Sequence, residues 1–122
     1  MDKLNEIFKL QAALDEKIIK EHRLDGLSQE EWIQKEILAM ISELAEVLDE
    51  VNYKWWKNPR PVNQARLQEE LVDVCHFLIS MCLKSGMTAD DLYQGYLQKN
   101  QENILRQEGK STRSGYQPQE RE

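Results

Sequence analysis

Glycine and proline are scarce in this chain, five and three among 122 residues. They punctuate the sequence rather than scatter through it. Between them apolar residues recur at spacings of three and four with no sustained alternation, which is a helical period and not a strand one. Cysteine is scarcer still. Cys75 and Cys82 are seven apart, about 10 Å along a helix, too far to bridge each other, and two unpaired thiols suit a reducing cytoplasm. No window approaches the roughly 20 apolar residues of a membrane span. The start, Met1-Asp2-Lys3-Leu4-Asn5-Glu6, lacks the basic stretch and apolar core of a signal peptide. Positive charge is short as well. With 16 Lys+Arg against 22 Asp+Glu the formal net charge is −6, which argues against a nucleic-acid backbone as the main partner. The expectation is a soluble, cytoplasmic, all-α domain with neither a membrane nor a nucleic acid as partner. A chain this short leaves much surface exposed, so a homo-oligomer is expected too.

Four helices follow from the pattern. The first runs from about Leu4 to Arg23 with Leu4, Ile7, Phe8, Leu10, Leu14 and Ile18 inward, and breaks at Asp25-Gly26. Ser28-Gln29-Glu30-Glu31 is a capping box, its hydroxyl serving one free amide and Glu31 another. The stripe Ile33, Ile37, Met40, Ile41, Leu44, Leu48 and Val51 then extends a second helix to about Trp55. Asn58-Pro59-Arg60-Pro61 interrupts it, since proline disfavours α geometry in the residue before it. A third helix spans about Asn63 to Ser85, with Leu67, Leu71, Val74, Leu78 and Met81 inward and Gly86 as its stop. Thr88 caps a fourth, with Asp90 and Asp91 in the favourable first turn, and this helix ends near Gly109. Residues 110–122 hold no aliphatic side chain and one aromatic, Tyr116; alone they would be disordered. The expected organisation is one domain over 1–109 and a polar, flexible tail over 110–122.

Charges on a helix normally face solvent. With Leu44 as zero, Glu36, Glu43, Glu46 and Glu50 fall on one flank of the second helix, between roughly −80° and −160°. With Val74 as zero, Glu70 lies at about −40°, inside the apolar arc of the third helix, and Asp73 beside it at about −100°. Glu43-Leu44-Ala45-Glu46 and Glu70-Leu71-Val72-Asp73 each offer two acids one turn apart. If the two helices form a hairpin, the pairs face one another. Four carboxylates near an apolar seam repel, and isolated buried anions are costly. A hard divalent cation such as Mg²⁺, which takes oxygen ligands and retains water, resolves the conflict. The bland alternative is a solvated acidic face. His76, about 200° from Val74, reads as a surface or interface residue rather than a catalytic base.

An ExxE helix, a turn and an ExxD helix in this order resemble the all-α nucleoside triphosphate pyrophosphatase superfamily, which includes the MazG-like proteins and the dimeric dUTPases. The opening Leu10 to Ile19, the segment Lys54-Trp55-Trp56-Lys57 and the end Tyr96 to Asn103 with Arg106-Gln107 look like the dimeric dUTPases of Gram-positive bacteria and their phages. The chain passes directly from Gly86 to Thr88, without the additional helices of that branch, and in size it stands nearer to short MazG-like members.

The resemblance implies that Glu43, Glu46, Glu70 and Asp73 hold Mg²⁺ ions against the triphosphate of a small-molecule nucleotide. Glu43 and Glu46 would be the catalytic carboxylates, Glu46 orienting the attacking water. By the same resemblance Gln11, Trp55, Trp56 and Asn100 would bind the base, and Lys99, Asn103, Arg106 and Tyr116 the phosphates. The implied reaction is dUTP to dUMP and pyrophosphate, with dUDP also accommodated, in a homodimer or homotetramer. Two alternatives stay open: a MazG-like pyrophosphatase for another nucleotide, and a non-catalytic helical interaction module.

Overall fold

A computed structural model describes residues 2–113 and Gly115. Tyr116 and most of the expected tail lie outside the described residues. Among the described residues there are four α-helices and no strand: α1 Lys3–His22, α2 Gln29–Glu50, α3 Gln64–Lys84 and α4 Ala89–Gln107. They divide into two compact units, one reaching to Thr88 and one beginning at Ala89.

Local chemistry sets the boundaries. Asp2 caps α1 by accepting from the Asn5 amide at 2.8 Å, satisfying one of the free donors of a helix start. Ser28 accepts from the Glu31 amide at 3.2 Å and its hydroxyl donates to the Glu31 carboxylate. Glu31 thus reaches back to the Ser28 hydroxyl in this half of the capping box. α3 stops in a Schellman arrangement: Gly86 has φ +83°, its amide donates to Leu83, and the Met87 amide donates to Cys82. Only glycine adopts that backbone without strain.

The end of α2 differs from the sequence expectation. The apolar stripe predicts a helix to about Trp55, yet α2 ends at Glu50. Asn52 takes a left-handed backbone, φ +58°. Its side chain donates to the Arg60 carbonyl and accepts from the Arg60 amide, both at 2.8 Å. Two hydrogen bonds to one backbone residue clamp the mouth of the connection and compete successfully with a further helical turn.

α2 and α3 form the main packed pair and α1 lies against α3. Their polar contacts fix the direction. Glu50 pairs with Arg66, Glu36 meets Ser80, and Gln29 donates to the Lys84 carbonyl. Descending numbers on one helix meet ascending numbers on the other, so the pair is antiparallel.

The apolar core is small: in the first unit Phe8, Ile79 and Cys82 are buried. Much of the predicted apolar stripe is not covered by the described residues. Ile37, Ile41, Leu44, Leu48 and Val51 on and after α2 remain exposed, as do Ile7, Leu10, Leu14 and Ile18 on α1. Helical period alone predicts which side chains share a face; it does not say that the same chain covers that face. Cys75 and Cys82 are unpaired, as their spacing requires.

Candidate metal and nucleotide site

The antiparallel α2–α3 pair brings Glu43 and Glu46 opposite Glu70. One carboxylate oxygen from each lies within 4.8 Å of the others. Asp73 stands outside that group of three, but its negative charge acts on both Glu43 and Glu70. The consequences are visible in proton affinity. Glu70 is pushed up to about 7, first by its hydrogen bond with Glu46, then by loss of hydration and by the charges of Glu46, Asp73 and Glu43. Loss of hydration, followed by the charges of Glu46 and Asp73, raises Glu43. Carboxylates held together in this way retain protons until a cation replaces them.

Two further observations fit a cation. Glu43 Oε2 and Glu70 Oε2 are shielded from solvent and have no hydrogen-bond partner among the described residues. Buried acceptors without donors are rare in proteins. The donor set is all carboxylate oxygen, the hard-ligand chemistry that Mg²⁺ prefers. The residues present therefore fit a divalent ion.

Beside the carboxylates, α1, α2 and α3 enclose a groove of about 510 Å³ that Glu43 and Asp73 help to line. That volume suits a small ligand. Its far wall is a polar chain that the sequence reading did not assemble. The Gln11 amide nitrogen donates to Asp15 at 2.9 Å, and its carbonyl oxygen lies 2.6 Å from His76 Nδ1. The Ser80 hydroxyl sits 2.8 Å from Asp15 and 2.9 Å from Glu36. Lys84 forms an ion pair with Glu36, lies 4.0 Å from Asp15, and places its ammonium 3.8 Å from the centre of the Trp32 ring. Two acids close together in a partly buried wall are held by one shared cation, a hydroxyl and an aromatic face.

His76 is exposed on α3, in keeping with the surface or interface expectation, and its ring meets Gln11 of α1. A helical wheel centred on Val74 assigns it to the outer side, and on α3, which packs against both α2 and α1, that side reaches α1. Gln11 is buried and lines the groove. Trp55 and Trp56 lie in the segment after α2, outside the residues lining the groove, with their rings edge to face at 4.7 Å and largely exposed. In the second unit Lys99 and Asn100 are exposed on α4. Arg106 pairs with Glu102 at 3.1 Å and approaches Asn103 at 3.5 Å. A signal for the missed polar wall does exist in the sequence. Gln11/Asp15, Trp32/Glu36 and Ser80/Lys84 are three pairs spaced by four, one on each helix.

Residues 3–88 match the profile of the family described as dUTPase, and the chain belongs to that family. The matched segment carries the carboxylate group and the groove, and stops where the first compact unit stops. The chain is also similar to the dCTP pyrophosphatase of Enterobacteria phage T4, 28% identical over 88 residues, covering 61% of this chain. The match takes in 52% of that relative, so the chain spans about half the length of the curated relative it matches. No solved structure matches it.

Proposed function

We propose that this protein is a Mg²⁺-dependent nucleoside triphosphate pyrophosphohydrolase that converts dUTP and water to dUMP and pyrophosphate, with dUDP as a second substrate. The observation that carries the reading is the meeting of Glu43, Glu46 and Glu70, with two shielded oxygens lacking donors, beside a ligand-sized groove. Membership of the dUTPase family supports it.

In this reading Glu43, Glu46, Glu70 and Asp73 hold the metal. When bound, Mg²⁺ neutralises phosphate charge and acidifies the attacking water. Glu46 accepts a hydrogen bond from that water and orients it toward the phosphorus, with Glu43 beside it. Gln11 is a base reader in the first unit, where Trp55 or Trp56 packs on the base face, and Asn100 is the base-reading candidate of the second. Lys99, Asn103, Arg106 and Tyr116 contact the phosphates. Water attack breaks one P–O bond, leaving the nucleoside monophosphate and releasing pyrophosphate. The protein works in the cytoplasm as a homodimer or homotetramer.

Pyrophosphate release from a nucleotide panel, with Mg²⁺ and with EDTA, tests this directly. Mg²⁺-dependent turnover that favours dUTP is the expected result. Equal turnover of dUTP, dTTP and UTP would sink the uracil-deoxyribose assignment. Preference for dCTP is the second reading, which the similarity to a dCTP pyrophosphatase favours. No turnover of any nucleotide would leave a binding module.

A further inference from the structure

We propose that His76 is a positioning residue which, together with Asp15, fixes which way round the Gln11 amide sits, and thereby sets the choice between uracil and cytosine. This rests on the reading of Gln11 as the base-facing amide.

Gln11 is 6% exposed and both ends of its amide are engaged. Its nitrogen donates to Asp15 Oδ1 at 2.9 Å and its oxygen lies 2.6 Å from His76 Nδ1. The Asp15 carboxylate, close to the Lys84 ammonium and bonded to the Ser80 hydroxyl, accepts hydrogen bonds and donates none. The amide nitrogen must therefore face Asp15, so the carbonyl faces the ring. Two acceptors cannot share a 2.6 Å contact, hence Nδ1 of His76 carries a hydrogen and donates it. The order of donors along the wall is held from both ends, by the acceptor Asp15 at one and the donor His76 at the other.

That order matters because a primary amide is ambivalent. One N–H and one oxygen lone pair remain after these contacts. Side by side they offer a donor and an acceptor. Uracil presents N3–H beside a carbonyl, and cytosine presents a bare N3 beside an amino group. The same glutamine pairs with one base in one orientation and with the other after half a turn about its last torsion. That torsion is broad and two-fold in its preference, so an unpinned glutamine accepts both pyrimidines. A donor on one side and an acceptor on the other remove the second orientation.

The test compares kcat/KM for dUTP and dCTP in the full chain and in two variants. His76→Ala removes the donor; His76→Asn puts an amide close to the position of Nδ1 that can donate but can equally accept. The dUTP-to-dCTP ratio is expected to change by about tenfold in His76→Ala, within the range that one paired base contact contributes to discrimination. His76→Asn is expected to restore only part of it, because its amide accepts as readily as it donates. Equal losses on both nucleotides, with the ratio unchanged, would reduce His76 to a structural support and overturn the proposal. A second measurement needs no turnover. Nitrogen NMR of the imidazole in the unmodified protein should find the hydrogen on Nδ1, and a bare Nδ1 overturns the proposal. If no nucleotide is hydrolysed, the enzyme reading fails, and this spectrum still decides whether the amide is pinned as described.

Discussion

Glu70 sits among three other acids, and its raised proton affinity has a definite sign in stability. Its carboxyl titrates at about 7 in the folded, metal-free protein against an ordinary value of 4.5. Between those values the folded state binds more protons than the unfolded one, so metal-free stability falls as pH rises through that window. Glu43 adds in the same direction. Asp2 and Glu102 are lowered by their hydrogen bonds, and their contributions are lost only on acidification below the carboxylate range. Melting in EDTA at about pH 5 and about pH 8 should therefore show the lower midpoint at the higher pH. Affinity for Mg²⁺ should run the opposite way, rising through neutrality as protons leave. Glu70→Gln keeps the shape and removes the charge. It should flatten the pH slope of the metal-free protein, leave its melting point equal or higher, and cut Mg²⁺-dependent turnover by more than about 100-fold, the upper cost of losing even an outer partner of a metal ligand. A metal-free melt that drops sharply instead would show that Glu70 supports the fold by contacts rather than straining it by charge.

Lys84 makes the converse case. It is the shared cation of Asp15 and Glu36, and all three side chains are at least 87% shielded, at 13%, 13% and 7% exposure. Lys84→Met keeps the stem over Trp32 but leaves two acids without their counter-charge. Breaking such a pair from one side costs about 3–5 kcal/mol, a loss that urea unfolding would read directly. A cost below about 1 kcal/mol, the level of an exposed pair, would mean that water reaches the wall.

At the scale of elements, the α2–α3 hairpin is what brings the two acid pairs together, and Asn52 sets its mouth. Asn52→Ala removes two hydrogen bonds to Arg60 and places a Cβ-bearing residue less tolerant of the left-handed region there. A loss of about 1–3 kcal/mol is expected. Asn52→Gly removes the same bonds but relieves the backbone, so its loss should be smaller. Equal losses would place the whole effect in the hydrogen bonds. The same residue shows what the sequence hides. Apolar spacing and caps made the helices legible, with Ser28 and Gly86 marking boundaries within a residue. Nothing in the stripe running to Val51 warns that Asn52 will turn, because its partner Arg60 is eight residues away and the competition is settled by that long contact. The carboxylate group was legible through Glu70, whose charge inside an apolar arc is anomalous on a single helix, and through Glu43 and Glu46 one turn apart on the flank of the other. The partners of His76 and Lys84 were not, since Gln11 and Glu36 lie on other helices and a wheel drawn for one helix does not show its neighbours.

For the whole molecule, the decisive feature is the apolar face left uncovered among the described residues. Ile37 is 43% exposed, Ile41 56% and Leu48 47% on α2, with Leu10 63% exposed on α1. Scattered exposed leucines mean little, but a run such as Ile37, Ile41 and Leu48 sharing one face of α2 is the mark of a surface that a partner buries. A second copy of the chain is the occupant the proposed function calls for. Light scattering should then give a mass of at least twice 14.4 kDa. Ile41→Glu combined with Leu48→Glu puts two charges on that face, and should yield a helical monomer of about the single-chain mass, because desolvating unpaired carboxylates in an interface costs more than the lost contacts return. The dissociated form also separates two roles of assembly. Glu43, Glu46 and Glu70 approach one another within a single chain, so Mg²⁺ binding, followed by calorimetry, should survive dissociation with little change. Turnover measured on the same monomer reports on the rest of the site. If Mg²⁺ binding disappears together with the oligomer, the carboxylate group does not stand on its own hairpin, and the subunit contact would have to be what holds α2 against α3.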